Sequence, residues 1–499
     1  MIATSSRCGV TLHCCCGYHT KRNCFHEGEE RHWFSFMTLD RREFMKFAGG
    51  AAFGIVVKQE PRDFNVKNFG AIGDGIAVDT SAIQKAIDTA GAWGGGARVL
   101  LPGGKRYLIG SLMLKSGIDF HLAEDTRLIA SPNPLHYPSA LAAILMAEKA
   151  VGLKISGSGY IDGQAMKFMS AYSETDERWE PKPFRPRMFR LTACSDLEIS
   201  GISFGNSPEW GLYMLGCERI LVDGITIRNQ FDVPNCDGID PDRCRDLEIR
   251  NCDIECADDA IVIKASEQAV DYGPTRNVVV KDCKMKSRDS GIKIGTETAG
   301  DISNVRFERC KVINGGRGPT ITHRGGGEIH DIEFSDIEVT AEHHAARWWG
   351  WGEAVSLTVR SRVLGKKVGR LHDIRIRNVR GKAENSVRVE GTKDNPIENV
   401  LLDNVDITID RWTKYPGGKF DNRSTSADVP GLEPHATPVY SIRNADHVLL
   451  RDCKARWGTN IQDYFGCAVE AENVRDLALT RFSGEAAHPE RDEAVTVKP

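Results

Sequence analysis

The stretch Ser195-Asp196-Leu197-Glu198-Ile199-Ser200-Gly201-Ile202 carries the pattern from which the architecture follows. Behind the polar Asp196, apolar residues fall one, three and six places on, and the first two alternate with polar neighbours as a strand requires. The same spacing returns behind Arg219, Asp246, Asn277, Asn304, Asp331, Asp373, Asn399, His447 and Asp476. Most intervals between these anchors run from 23 to 31 residues, and two are wider, at 42 and 48. Apolar residues at three- and four-residue steps, which a helix would need, are absent from these units. A strand unit repeated at this period cannot bury its own face and must stack on its neighbours, so the chain reads as a solenoid. A leucine-rich horseshoe would need a leucine consensus that is missing. A propeller would need four strands per blade at periods near 40. The reading is all-β, a parallel β-helix.

The rest of the chain is organised around this core. Its 499 residues are 41% hydrophobic and 27% charged with a net charge of −4, ordinary globular composition that excludes collagen, a disordered tail or a membrane bundle. The acidic balance argues against a nucleic-acid partner, and no apolar run is long enough to span a bilayer. Of fifteen cysteines, Cys252, Cys283, Cys310 and Cys453 occupy the same inward repeat position, which favours buried thiols over disulfides or a metal. The group Cys8–Cys24 fits no zinc-ligand spacing. Asp79–Gly91 spaces Ile83, Ala86, Ile87 and Ala90 as an amphipathic helix that would cap the open end of the solenoid. Arg41-Arg42-Glu43-Phe44-Met45-Lys46, with the mild apolar stretch to Val57, resembles a bacterial twin-arginine export signal. On that reading residues 1–36 are an upstream extension before a start at Met37, 37–59 are the signal, 60–485 form one β-helix domain, and 486–499 are a loose tail. The protein would then be exported, periplasmic or secreted.

Two acidic motifs interrupt the apolar strand pattern one coil apart: Asn235-Cys236-Asp237-Gly238-Ile239-Asp240-Pro241-Asp242 and Ala257-Asp258-Asp259-Ala260-Ile261-Val262-Ile263-Lys264. Adjacent coils lie about 4.8 Å apart, so Asp237, Asp258 and Asp259 can converge. Neighbours on a regular strand face opposite ways, so Asp258 and Asp259 need a bend to share a groove. Gathering like charges opposes folding. The gain would be acid–base hydrolysis of a glycosidic bond or binding of a hard cation, against the bland alternative of turn aspartates.

These motifs resemble glycoside hydrolase family 28, the polygalacturonases. Phe64–Asp88, Ile155–Gln164, Arg185-Pro186-Arg187 and Asn206-Ser207-Pro208-Glu209-Trp210 resemble further landmarks of that family. The resemblance implies a right-handed β-helix of the pectate-lyase-like kind and inverting hydrolysis with neither metal nor cofactor. It implies Asp258 as general acid, with Asp237 and Asp259 holding and activating water. Three departures stand out. Ser290 replaces the histidine of Gly-His-Gly, the Arg-Ile-Lys clamp becomes Thr320-Ile321-Thr322-His323-Arg324, and Cys236 replaces threonine.

The substrate expected is an acidic, pectin-type polysaccharide or oligosaccharide. Asn235, Asp240 and Ser290 are candidate binding residues. Lys264, Lys293, His323 and Arg324 are candidates to meet a uronate carboxylate. Trp348 and Trp349, in a glycine-flexed loop, would stack on sugar faces. A lyase on the same fold, a neutral-sugar glycosidase and a non-catalytic glycan-binding solenoid are the alternatives.

Overall fold

The computed structural model describes residues 62–139 and 142–499. The twin-arginine segment and the cysteines up to Cys24 lie outside them. Strands stack in parallel, coil upon coil, into one long β-helix. The repeat positions fall into register. Leu197 pairs with Ile220, then Leu247, Val278, Val305, Ile332, Ile374, Val400, Val448 and Leu477, one residue per coil.

The polar anchors have a conformational reason. All ten sit in the left-handed region, at φ between 51° and 57°. A second left-handed row follows five residues on, for example at Asn251, Asp282, Asn378 and Asn404. Each bends the chain at a corner of the coil, in places within one continuous strand such as Leu371–Ala383. Asparagine and aspartate tolerate that geometry best among residues with a side chain. Their side chains also bond between coils: Asn277 Nδ2 donates to Asp246 Oδ1 at 2.8 Å and Asn304 Nδ2 to Asn277 Oδ1 at 2.8 Å. Inside, Phe307 and Phe334 stack at 4.9 Å between ring centres. The ten described cysteines, from Cys194 to Cys467, are all buried free thiols.

The helix spans Thr80–Trp93 and buries Ile83, Ala86, Ile87 and Ala90 against the first coils. The other end departs from expectation. Residues 486–499 are no loose tail: Val495–Lys498 pairs in parallel with Val469–Thr480, Ala486 is buried, and Lys498 Nζ reaches Glu470 at 2.6 Å. The segment reads as polar because it lies at the end of the stack, where one face meets water.

Insertions outside the repeat shape the working face. They are a hairpin of Met169–Ser173 and Arg178–Pro181, the loop 342–352, the loop 360–370, and the segment 411–437 with its own hairpin. Together they cover the strands Arg317–His323, Glu353–Val359 and Asn385–Glu390, every residue of which is buried. Toward the N-terminus the same sheet is more open, with Arg190 and Thr192 reaching solvent.

Candidate active site

The acidic motifs occupy the corner that precedes the strands Ile239–Asp242, Ile261–Ala265 and Ser290–Thr298. Successive corners stack by backbone bonds, with Gly238 N to Asp259 O at 2.9 Å and Ala260 N to Ser290 O at 2.9 Å. Position 238 must be glycine, since a Cβ there would come within 2.3 Å of Ala260 O. Because the chain bends here, the neighbours Asp258 and Asp259 both join the cluster. One carboxylate oxygen from each of Asp237, Asp258 and Asp259 lies within 4.8 Å of the others. Asp237 and Asp259 are buried, whereas Asp258 is half-buried and reaches the open space above them. Asp289, on the next coil, faces the same group.

The electrostatics differ along the cluster. Burial, then the charge of Asp259, pushes the Asp258 carboxyl up. Burial and Asp240 push Asp237 well up, and burial and Asp259 do the same for Asp289. The balancing positive charge comes from Arg317, whose Nη1 lies 3.4 Å from Asp289 Oδ1, and from two lysines. Lys293 Nζ is 2.6 Å from Asp259 Oδ2, and Lys264 Nζ is 2.8 Å from Asp240 Oδ1 and 3.7 Å from Asp237 Oδ2. Each ammonium also faces an indole, Lys264 over Trp210 at 3.9 Å and Lys293 over Trp349 at 5.8 Å.

A pocket of about 330 Å³ opens over the carboxylates. Asn235, Asp237, Asp258, Asp259, Lys264, Lys293, Trp348 and Trp349 line it, as the sequence led one to expect. The remaining candidates do not. Asp240 lies beneath, fully buried against Lys264. Ser290 is buried and donates to Asp289 Oδ1 at 2.9 Å. His323 is sealed in the wall between Thr298 Oγ1 and Gly369 O, both at 2.9 Å, and burial drives its pKa down to about 3. Arg324 is equally inaccessible, its guanidinium held by the carbonyls of Thr358 and Ser424. Neither can meet a uronate carboxylate, because the 411–437 segment covers the strand at the clamp position. Trp348 belongs to the pocket wall but is only 3% exposed, leaving Trp349 as the more accessible indole. The two lysines reach the pocket with their charge already engaged by aspartates.

Sequence reasoning did not find Arg178, Asp289, Thr296, Arg347 and Arg362 on the pocket wall. For Asp289 the signal existed, since it sits one coil after Asp258-Asp259 in the same corner. The arginines come from insertions that obey no repeat.

The matching family model, glycosyl hydrolases family 28, covers residues 97–416 and so takes in the whole cluster. The chain belongs to glycosyl hydrolase family 28. A rhamnogalacturonase A/epimerase, pectate lyase-like model covers residues 64–121. A probable polygalacturonase of Vitis vinifera is 29% identical over 401 residues, 74% of this chain and 78% of its own length. An exo-poly-alpha-D-galacturonosidase of Dickeya chrysanthemi is 25% identical over 333 residues, 55% of this chain and 54% of its own. Among solved structures, the family 28 exopolygalacturonase of Yersinia enterocolitica aligns with a TM-score of 0.64 at 18% identity, covering 84% of this chain and 78% of that one. An exopolygalacturonase from Thermotoga maritima aligns at 0.57 and 22% identity, covering 70% and 89%. The fold is thus the right-handed parallel β-helix, and this family 28 member is a glycoside hydrolase. The lyase alternative finds no support. No helix among the described residues is long and apolar enough to cross a membrane.

Proposed function

We propose that the protein hydrolyses glycosidic bonds in a pectin-type, uronate-containing glycan by acid–base catalysis with inversion, acting at a chain end. The observation that carries the chemistry is the half-exposed Asp258 above two buried carboxylates, each facing a lysine. Asp258, its carboxyl pushed up by burial and by Asp259, donates to the leaving oxygen. Asp237 and Asp259 lie deeper, so they reach the anomeric carbon only through a water held between them. Lys293 supports negative charge on Asp259 as it takes the water's proton. The cluster is tighter than the roughly 6.5–9.5 Å usual for inverting pairs. Burial of Asp237 and Asp259 is what favours a bridging water over direct attack, and product NMR tests it: the first-formed anomer should be inverted, and a retained anomer refutes the reading.

End-on action is supported by the covered strands. Beyond the carboxylates on the C-terminal side, Asp421 accepts from Arg317 Nη2 and from Gly350 N, both at 2.8 Å, and ties the 342–352 loop to the 411–437 segment. A glycan running along the sheet meets this wall. Purified protein given a long polygalacturonate should release short products from the earliest time with little loss of viscosity. A rapid fall in viscosity would show internal cleavage. Export by the Arg41-Arg42 segment is part of the same proposal, and is checked by whether residues 37–59 carry a folded reporter across the membrane of a bacterium with an intact twin-arginine pathway but not one lacking it.

A further inference from the structure

Five cationic side chains line the pocket: Arg178, Lys264, Lys293, Arg347 and Arg362. Four have acidic partners. Lys293 is engaged by Asp259, and Lys264 by Asp240. Arg362 Nη1 lies 3.1 Å from Glu297 Oε1. Arg347 Nη1 reaches Asp176 only at 3.8 Å, and its side chain is half-exposed at the rim. Arg178 differs: among the described residues no carboxylate comes within ion-pair distance of it, and its Nε is buried without a hydrogen bond. The acidic groups facing it, Glu180 and Asp176 on its own hairpin and Asp258 across the pocket, lie farther off. Its guanidinium rests over the Trp348 ring at 5.8 Å.

Arg178 is also held in place from both sides. The preceding Glu177 is gripped by Lys414 Nζ at 2.7 Å and Tyr415 Oη at 2.7 Å, and its carbonyl accepts from Arg288 Nη1 at 3.1 Å. The following Trp179 donates its backbone N–H to Asp232 O at 2.8 Å. A positioned guanidinium with an unmet donor, a second arginine repelling it, and an acid facing it across the cavity are what a planar monoanion entering the pocket would find. A guanidinium meets a carboxylate with two parallel N–H bonds, and desolvation strengthens them.

We infer that the substrate's uronate carboxylate at the cleavage site is read by Arg178, with Arg347 beside it, both carried by insertions rather than by the strands of the coil. The inference rests on the acidic-substrate reading of the preceding section. Lys264 and Lys293 then serve the carboxylates beneath rather than the substrate.

The test measures kcat/KM on trigalacturonate and on its methyl ester, for the wild type, Arg178→Met, Arg347→Gln and the double variant, each checked for a native melting transition. Wild type should prefer the acid. That preference should fall about ten- to a hundredfold in Arg178→Met, through KM rather than kcat, the usual worth of one charge-assisted contact. It should fall by a smaller factor in Arg347→Gln, whose exposed side chain leaves the fold unperturbed. A wild type indifferent to esterification defeats the acidic-substrate reading itself. A preference that survives in the variants, or equal losses on acid and ester, defeats the assignment of Arg178 and Arg347 while leaving that reading intact.

Discussion

Asp258 is the residue on which the chemistry turns. Its carboxyl is pushed up by burial and by Asp259, so it stays protonated to higher pH than an ordinary aspartate. Activity should therefore persist below that raised pKa and fall as pH rises through it. Asp258→Asn should cut turnover at least about a hundredfold, the scale of general acid catalysis, while keeping the melting temperature. Near-native turnover would remove Asp258 from the role. Asp289 makes a stability prediction of opposite character. Its folded pKa is raised well above that of the unfolded chain, so the unfolded state loses its proton first. The stability it lends is full below about pH 4, the unfolded value, and is lost as pH rises toward the folded one. Asp289→Asn does not titrate, so its melting temperature should gain on the wild type increasingly from pH 4 to pH 8. A constant offset would show that no such shift exists. Lys293→Met should strip Asp259 of its partner at a site where both side chains are nearly dry, 3% and 6% exposed. Breaking a buried pair costs about 3–5 kcal/mol. Turnover should drop alike on acidic and esterified substrates, unlike the selective loss expected at Arg178.

The corners govern at the level of the coil. Asn277 sits at φ 57° between Asp246 and Asn304, bonded to both. A β-branched residue is strained there and cannot continue the ladder, so Asn277→Val should cost about 1–3 kcal/mol. Asn277→Gly relieves the strain and loses only the side-chain bonds, so it should be milder. A melting temperature ordered the other way would mean that left-handed strain does not set the cost at this corner. The anchors of these corners were legible in sequence because a polar residue recurs coil after coil and each is followed by the same apolar offsets. The carboxylate cluster was legible for the same reason, since Asp237 and Asp258 are one coil apart and stacking alone brings them together. The engagement of Lys264 and Lys293 was not legible. Spacing placed them at the pocket but gave no account of which acids their flexible stems would meet.

Across the whole molecule, the solenoid supplies a long sheet and the insertions decide how much of it a glycan can use. The wall beyond the carboxylates is held by Asp421, which is fully buried and accepts from Arg317, Arg423 and Gly350. Asp421→Ala should leave Arg317 under-compensated, lower the melting temperature and loosen the wall, so that internal cleavage of polygalacturonate rises relative to end-on release. Destabilisation without any change in product pattern would uncouple the wall from the mode of action. The sequence by itself determined the coil, its corners, its inward rows and the gathering of three acids, because each follows from interactions between residues one period apart. Only the tertiary structure decided that His323, Arg324 and Trp348 are buried, that the last residues close the stack, and that Arg178 stands over the site. Those outcomes depend on contacts between distant parts of the chain, such as Glu177 with Tyr415, Arg317 with Asp421 and Val495 with Val469, which leave no local pattern to read.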